Sequence, residues 1–199
     1  MNEITWATPL YEFVRQCNES PLEKSVLDCG AGGDQPPLSL FYRHGYETAG
    51  IEITEEAWSK AQEFCRENNI PLNICRGDMR MIPFADESFS FVYSFNAIFF
   101  MTKPDIRASI KEMARVLKPG GLCYINFRSV DDPDKRKFSE TAYARRLLGS
   151  ERFSDFEDDE ADEYFTGFDI IRKEKRIIDK KHGGEPFRQV MIDYIVQKL

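Results

Sequence analysis

Three acidic residues that each follow an apolar run are the residues of this sequence best suited to form a ligand site. Asp28 ends one run and precedes the glycine-rich residues 29–33. Such a pattern is typical of a buried strand entering a tight turn, where bare backbone lets a ligand approach closely. Glu52 ends a second run, 20 positions after Gly32, which is the spacing of an acid that binds ribose hydroxyls. Asp78 follows a third run, so we expect the three acids at one edge of a nucleoside site.

The residues after the glycines indicate which nucleoside fits. A dinucleotide fingerprint needs a third glycine, but position 35 is Gln. Asp34, or Gln35 beside it, is expected to cap the next helix, with Pro36-Pro37 in the first turn. A carboxylate at this helix end would repel a pyrophosphate. S-adenosylmethionine carries a sulfonium, an ammonium and one carboxylate but no phosphate, so the loop suits it better than NAD.

The elements that position these residues alternate between strand and helix. The sequence predicts helices over 38–44, from Thr54 to the Asn68-Asn69 pair and along the stripe 106–117, with further strands over 89–94 and 122–127. Strands separated by helices pair in parallel with right-handed crossovers. The last third predicts a helix over 139–148 and two strands, 170–178 and 187–196, around the turn 182–185. The fold class is therefore a doubly wound α/β sheet.

Four stretches resemble the class I S-adenosylmethionine-dependent methyltransferases, especially their small "type 11" branch. In the family's order and spacing these stretches are residues 26–32, 45–54, 77–79 with 82–84, and 115–121. The resemblance implies a seven-stranded sheet, with five parallel strands and a C-terminal antiparallel hairpin, and an enzyme that binds S-adenosylmethionine. It implies that Asp28 or its backbone holds the methionine end of the cofactor and that Asp78 binds the adenine amine. The residues expected to contact the cofactor are Asp28, Gly30, Ala31, Gly32, Glu52, Ile53, Gly77, Asp78, Met79 and Ser94.

The catalytic base, by contrast, stays unknown from the sequence. Family members often carry a histidine near Phe99 or Phe100, and this chain has none there. The sequence also lacks the Asn/Asp-Pro-Pro-Tyr signature of amino-methylating nucleic-acid enzymes and any metal triad. Asn96 and Tyr11 are the best candidates, against a plain capping or packing role. The two hypotheses are a methyltransferase acting on a small-molecule acceptor and a non-catalytic S-adenosylmethionine-binding regulatory or partner protein.

The acceptor is expected to be small and partly apolar because aromatic residues surround the end of strand four. We predict one domain over 1–199, made of an N-terminal cap (1–23), a cofactor-binding core (24–128), an insertion or lid (129–168) and a hairpin (169–199). The cap and the insertion would enclose the acceptor. The aromatic residues are Trp6, Tyr11, Phe95, Phe99 and Phe100.

Composition sets the remaining expectations. The chain has 199 residues, 27 basic and 34 acidic, for a net charge of −7, which argues against general binding of nucleic acid. Five cysteines without a C-x-x-C pair, together with the lack of a signal peptide or long apolar stretch, favour reduced thiols in the cytoplasm, no membrane partner and no metal. The acids of 155–163 and the bases of 172–181 are each expected to be solvated faces.

Overall fold

The structure is a computed structural model that describes residues 8–133, 154–182 and 185–199. It contains four α-helices, eight strands and two short 3₁₀ turns in these ranges. The helices are α1 (Thr8–Glu19), α2 (Leu38–Arg43), α3 (Glu55–Asn68) and α4 (Lys103–Val116). The strands are β1 (Ser25–Cys29), β2 (Glu47–Glu52), β3 (Ile74–Arg76), β4 (Phe89–Ser94), β5 (Leu117–Ser129), β6 (Asp155–Phe156), β7 (Phe168–His182) and β8 (Glu185–Lys198). The 3₁₀ turns are Ile98–Phe100 and Glu160–Tyr164.

The strands form one sheet in the order β3-β2-β1-β4-β5-β8-β7. Strands β1 to β5 pair in parallel, and β8 runs antiparallel to both β5 and β7. This arrangement confirms the predicted doubly wound sheet with a C-terminal hairpin. The eighth strand is β6, two residues that pair in parallel with the end of β5. So short a strand has no periodicity to detect, which is why the sequence predicted seven.

Capping residues and apolar stripes fix two of the helices where the sequence predicts them. Thr54 accepts a hydrogen bond from the Ala57 N–H at the start of α3, and Asn69 ends the helix in a left-handed conformation. Thr102 caps α4 in the same way. The buried stripe of α4 follows the predicted spacing, but the helix ends at Val116 and β5 begins five residues before the predicted strand.

The first helix is part of the core and not a detached cap. Leu10 and Phe13 on α1 have no exposed surface. The Phe13 ring lies 5.9 Å from the ring of Phe41, 6.2 Å from that of Tyr93 and 5.7 Å from that of Tyr124. The helix therefore seals one face of the central strands. Trp6, predicted to help cover the acceptor, lies outside the described residues.

The predicted cap of α2 is wrong. The helix begins at Leu38, its N-cap position is Pro37, and no side chain caps it. The carbonyl oxygens of Pro36 and Pro37 accept the N–H groups of Ser39 and Leu40 instead, so the backbone of the proline pair closes the turn. Asp34 is exposed and lies three residues before Pro37, the N-cap position. A capping carboxylate at the start of α2 therefore does not disfavour a pyrophosphate here. The missing third glycine still does.

The acidic and basic runs of the last third are not two independent solvated faces, because they pair with each other. Lys173 lies 2.6 Å from Asp159 and 2.7 Å from Asp162, and Lys175 lies 2.6 Å from Asp158. Three further acids bind α4 and β5 in the pairs Glu160–Lys103, Glu163–Arg107 and Asp155–Arg128. The pairing is non-local, so no local charge pattern could reveal it. The predicted helix 139–148 and the glycines of the hairpin turn lie outside the described residues.

Candidate nucleoside site

The candidate site forms where the carboxyl ends of β1, β2, β3 and β4 meet. Asp28 stands across from Gly50 on β2 and from Tyr93 on β4. Glu52 ends β2 across from Arg76 on β3. Because all four strands are parallel, their polar residues meet at one edge of the sheet, at a point where the strand order reverses, and open α/β sheets bind ligands there.

The glycine loop is packed closely at two of its glycines, Gly30 and Gly32, where an added side chain would collide. Gly30 has a φ of 111°, and a Cβ atom on it would lie 2.4 Å from the Cβ of Ala97, in the loop after β4. A Cβ on Gly32 would lie 2.5 Å from Oε2 of Glu52. The backbone N–H groups of Gly30 and Ala31 both bind the carbonyl of Ile51. Those two donors are therefore used inside the protein.

Glu52 is buried, with 4% of its surface exposed, yet only one of its carboxylate oxygens is used. Oε1 accepts hydrogen bonds from the N–H and the hydroxyl of Thr54, both at 2.8 Å. Oε2 accepts no hydrogen bond from the described residues and faces Gly32. A buried carboxylate oxygen held in place beside a glycine is suited to accept hydrogen bonds from vicinal hydroxyls.

Asp28 is buried more deeply than a ligand-binding acid usually is. It is 1% exposed, and its Oδ2 accepts a 2.7 Å hydrogen bond from the Tyr93 hydroxyl. Burial raises the pKa of Asp28 to about 8, against the lowering by Tyr93, and the charge of Glu52 raises it further. Its Oδ1 has no donor among the described residues. The structure thus places Asp28 beneath the glycine loop, and its contact with the cofactor stays a prediction.

The third strand contributes a loop that lies against the glycine loop. Asp78 is held by Arg80, whose Nε and Nη2 atoms lie 2.6–3.0 Å from its carboxylate oxygens, and this contact lowers the pKa of Asp78. The Met79 side chain lies 3.9 Å from the position of a Cβ on Gly30, and the Gly77 N–H binds the Glu52 carbonyl. Ile53 exposes 49% of its surface beside Glu52, which gives a flat base an apolar surface to pack on.

Ser94 and Asn96 lie at the end of β4. Ser94 is fully buried, and its hydroxyl has no hydrogen-bond partner among the described residues. Asn96 adopts a φ of 55°. Its N–H donates to Oδ1 of Asn126 and its Oδ1 accepts from Nδ2 of Asn126, both at 2.7 Å. An amide fixed in this way positions a loop and is no proton acceptor, so the structure gives Asn96 no role as a base.

Of the predicted aromatic set, the described members divide between core and surface. Phe99 is fully buried and its ring stacks on that of Phe100, with the centroids 4.8 Å apart. The Phe95 ring lies 6.2 Å from that of Tyr124. Tyr11 is 43% exposed on α1. Packing explains Phe99, and Phe95 and Phe100 lie in the segment that follows β4.

Sequence reasoning missed Tyr93, Asn126 and Arg80, the residues that orient Asp28, Asn96 and Asp78. Tyr93 and Asn126 are buried in strands, where their polar groups gave no spacing signal. Arg80 lies two residues after Asp78, and a basic residue so close to a predicted site acid was a usable signal. In the described ranges no cluster of three or more His, Cys, Asp or Glu side chains is placed to hold a metal ion. Within the same residues, no helix combines the length and apolar character that crossing a membrane requires.

Comparison with known proteins identifies the family of the chain. The model of a methyltransferase domain matches residues 27–125. The sterol 24-C-methyltransferase of Pneumocystis carinii is 28% identical over 163 residues, which are 76% of this chain and 41% of that protein. The uncharacterized methyltransferase YcgJ of Bacillus subtilis is 30% identical over 117 residues, 58% of this chain and 45% of that protein. The chain thus spans less than half the length of these curated relatives.

A solved structure extends the likeness to the whole fold. The S-adenosylmethionine-dependent methyltransferase from Methanosarcina mazei superposes with a TM-score of 0.73 at 22% identity. The superposition covers 98% of this chain and 99% of that one. At this identity the likeness concerns the fold, while the matched residues 27–125 contain the glycine loop, Glu52 and Asp78. The chain belongs to the class I S-adenosylmethionine-dependent methyltransferase family.

Proposed function

We propose that this protein binds S-adenosylmethionine and transfers its methyl group to a small-molecule acceptor. The observation that carries the proposal is Oε2 of Glu52, a buried carboxylate oxygen that accepts no hydrogen bond from the described residues and lies against Gly32. Two vicinal hydroxyls of a ribose would find a hydrogen-bond acceptor at that point. The family to which the chain belongs supports the identity of the cofactor.

The residues present fit this cofactor along the strand ends. Glu52 would accept the ribose hydroxyls, and the loop carbonyls beside Gly30 would face the ammonium group. Ile53 would pack on the adenine ring, Asp78 would receive its amine, and the Met79 N–H, which has no acceptor among the described residues, would donate to it. Asp28 and Ser94 would lie at the methionine end, where the buried Ser94 hydroxyl has no hydrogen-bond partner among the described residues and Tyr93 binds one oxygen of Asp28.

The protein's contribution to the reaction is mainly orientation. The cofactor supplies both the methyl group and the leaving group. The chain has to align the acceptor atom, exclude water and accept a proton where the acceptor carries one. The Asn96–Asn126 pair holds the loop after β4 against the glycine loop through Ala97. That rigid contact would fix the position of the acceptor relative to the cofactor.

Relatives support a small acceptor without defining it. Sterol 24-C-methyltransferases and an O-methyltransferase from Pyrenophora dematioidea are among the similar proteins. The first name describes transfer to a carbon atom of a sterol, and the second describes transfer to oxygen. The accepting atom is accordingly left open in the proposal.

Calorimetry with three ligands tests the proposal. We expect S-adenosylmethionine and S-adenosylhomocysteine to bind at micromolar affinity and NAD to bind far more weakly, because the loop lacks the third glycine of a pyrophosphate site. A preference for NAD would overturn the proposal. Binding of S-adenosylmethionine without transfer to any molecule of an acceptor screen would favour the alternative, a non-catalytic cofactor-binding protein.

Substitution of Glu52 directly tests whether its carboxylate binds the cofactor. Glu52→Gln keeps the size of the side chain and the bond to Thr54 but removes the charge that the ribose would meet. We expect it to weaken cofactor binding by about 1–3 kcal/mol because hydrogen bonds to charged acceptors are lost. Glu55→Gln is the matched control, since that carboxylate is exposed and pairs with Arg76. Unchanged affinity in a normally folded Glu52 variant would contradict the ribose role.

A further inference from the structure

A second cavity, lined by both charged and apolar side chains, lies on the α1 face of β5, β8 and β7. Its volume is about 90 Å³, and its walls include Pro9 and Glu12 of α1, Tyr124 of β5, Asp193 of β8, and Arg172 and Arg176 of β7. None of these lining residues was predicted from the sequence to bind the cofactor. A cavity needs only about 10–15 Å³ of such volume for each water, so this one has room for a small polar group of a ligand.

Arg176 and Asp193 form the floor of the cavity, and both are substantially buried. The exposed fraction of the side chain is 8% for Asp193 and 19% for Arg176. Oδ2 of Asp193 accepts from Nε of Arg176 at 2.9 Å, and Oδ1 accepts from Nη2 at 3.2 Å and from the Tyr124 hydroxyl at 2.5 Å. Both oxygens of Asp193 are thus occupied, and the guanidinium is locked in one orientation.

The unused hydrogen-bonding capacity of the cavity floor belongs to Arg176. A guanidinium has five N–H donors, and two of those of Arg176 bind Asp193. Tyr124 is a further hydrogen-bonding neighbour of this guanidinium, and no other acceptor for it lies in the parts of the chain that the structure describes. The other acids of the wall are paired as well, since Glu12 binds Arg15 and Gln16 and lies 3.4 Å from Arg172, and Glu174 binds Arg172. A ligand that enters this cavity therefore meets a free guanidinium edge.

The cavity lies in the same sheet as the nucleoside site, three strands away from β1. Asp28, Tyr93, Tyr124 and Ile195 are successive partners across β1, β4, β5 and β8. Asp193 stands across from Asn126, which holds the loop after β4. Neighbouring strands lie about 4.8 Å apart, so a molecule that reaches from the end of β1 to β8 spans about 14 Å.

We infer that Arg176 is a recognition residue for the methyl acceptor and that the acceptor carries a carboxylate. This inference rests on the proposed methyl transfer. A planar guanidinium with one edge fixed by Asp193 offers a fork that matches the two oxygens of a carboxylate. A buried ion pair contributes little net stability compared with apolar packing, so the fold does not need this pair for its core. The acceptor is then an elongated acid whose carboxylate lies away from the atom that is methylated.

A binding experiment without cofactor tests the carboxylate site by itself. Propionate and its neutral isostere propionamide are titrated into the full-length protein, and the arginine Nε–H resonances are followed by NMR. We expect propionate to shift the Arg176 signal and propionamide to leave it unchanged. An equal response to both, no response to propionate, or binding of inorganic phosphate alone would overturn the inference.

Variants separate recognition from folding. Arg176→Lys keeps the charge and loses the fork, and the double variant Arg176→Gln/Asp193→Asn removes the pair without leaving a buried lone carboxylate. We expect each to weaken propionate binding at least tenfold, while Arg188→Gln, which breaks an exposed pair with Asp179, leaves it unchanged. Variants that fold and still bind propionate as tightly as the parent would overturn the inference.

Turnover then links the site to the reaction. In a screen with labelled S-adenosylmethionine, carboxylic acids should be methylated in preference to their methyl esters, and Arg176→Lys should lower kcat/KM for the acids at least tenfold with unchanged cofactor affinity. Equal transfer to acids and esters would overturn the inference and leave the proposed function intact. If the parent protein did not bind S-adenosylmethionine, the proposed function would be overturned. The carboxylate site would still be measured by NMR.

Discussion

At the scale of single residues, the site acids differ in how much of their bonding capacity the fold has already used. Glu52 has one oxygen tied to Thr54 and one without a described donor. Asp28 is similar but lies deeper, on Tyr93. Asp78 has both oxygens on Arg80. Glu52 therefore has more unused hydrogen-bonding capacity than Asp78. A ligand bound to Asp78 would have to share the carboxylate oxygens with Arg80.

A comparison of two glycines distinguishes the energetic cost of backbone strain from that of close packing. Gly30 and Gly33 both have positive φ, at 111° and 101°, but only at Gly30 does an added Cβ collide, with Ala97. We expect Gly33→Ala to destabilise the protein by about 1–3 kcal/mol through backbone strain alone. Gly30→Ala should add about 1–3 kcal/mol from overpacking. Urea unfolding of both variants measures the difference, and equal losses would contradict the contact with Ala97.

The stability of the protein should carry a pH signature of Asp28. Burial raises the pKa of this carboxyl to about 8 in the folded protein, from an ordinary value of 3.8. Between these two values the folded state binds more protons than the unfolded state, so this group's contribution falls as the pH rises through that window. The neutral side chain of Asp28→Asn has no such dependence.

Unfolding in urea at pH 5, 6.5 and 8 checks this expectation. The free energy of unfolding of Asp28→Asn should increase relative to that of the parent protein as the pH rises, because only the parent must ionise a buried group. All other titrating groups are common to the two proteins and cancel in the difference. A difference that stays constant from pH 5 to 8 would mean that Asp28 ionises in the folded protein as it does in water.

At the scale of elements, the sequence predicted what is local and failed where partners are distant. The spacing in α4, the Thr54 cap of α3 and the strand-end position of Glu52 all follow from residues within one or two turns. The cap of α2 was wrong because two proline carbonyls replaced a side chain. The Asn96–Asn126 bond, the cavity at Arg176 and the pairing of acids with β7 join residues far apart in sequence. No local pattern records such contacts.

The returning end of the insertion should be held to the core by charge. Residues 155–163 place their acids on bases of α4, β5 and β7, and Ser154 binds the carbonyls of Phe99 and Met101. Exposed pairs of this kind contribute about 0.2–1 kcal/mol each and weaken as salt is added. We expect amide hydrogen exchange in this segment to accelerate between low and high salt.

Lys173→Gln should produce the same acceleration at low salt because Lys173 contacts both Asp159 and Asp162. Arg188→Gln serves as control, since it breaks an exposed pair within the hairpin and leaves the segment untouched. Exchange in the buried part of β8 should respond to neither change. A segment whose exchange responds to neither salt nor the loss of Lys173 would be held by its apolar contacts, such as that between the rings of Phe156 and Phe127.

At the scale of the whole molecule, the last strand completes the core. β8 lies between β5 and β7, and residues 191–196 are buried along its length. Removal of residues 168–199 would uncover the apolar faces of β5, and we expect the shortened chain to show no cooperative unfolding transition. Removal of Leu199 alone, which is 72% exposed, is the control. Circular dichroism during urea unfolding measures both, and a cooperative transition in the long truncation would contradict this role of the hairpin.

The two strands at the ends of the sheet path, β3 and β7, are protected in different ways. β3 is three residues long, which leaves little to pair with. β7 has fifteen residues, a bulge between Ile170 and Arg172, and a sequence in which bases outnumber acids. Charges and bulges on an edge discourage intermolecular strand addition. The bulge and the many charged side chains of β7 should therefore make the protein resist β-sheet aggregation through this edge.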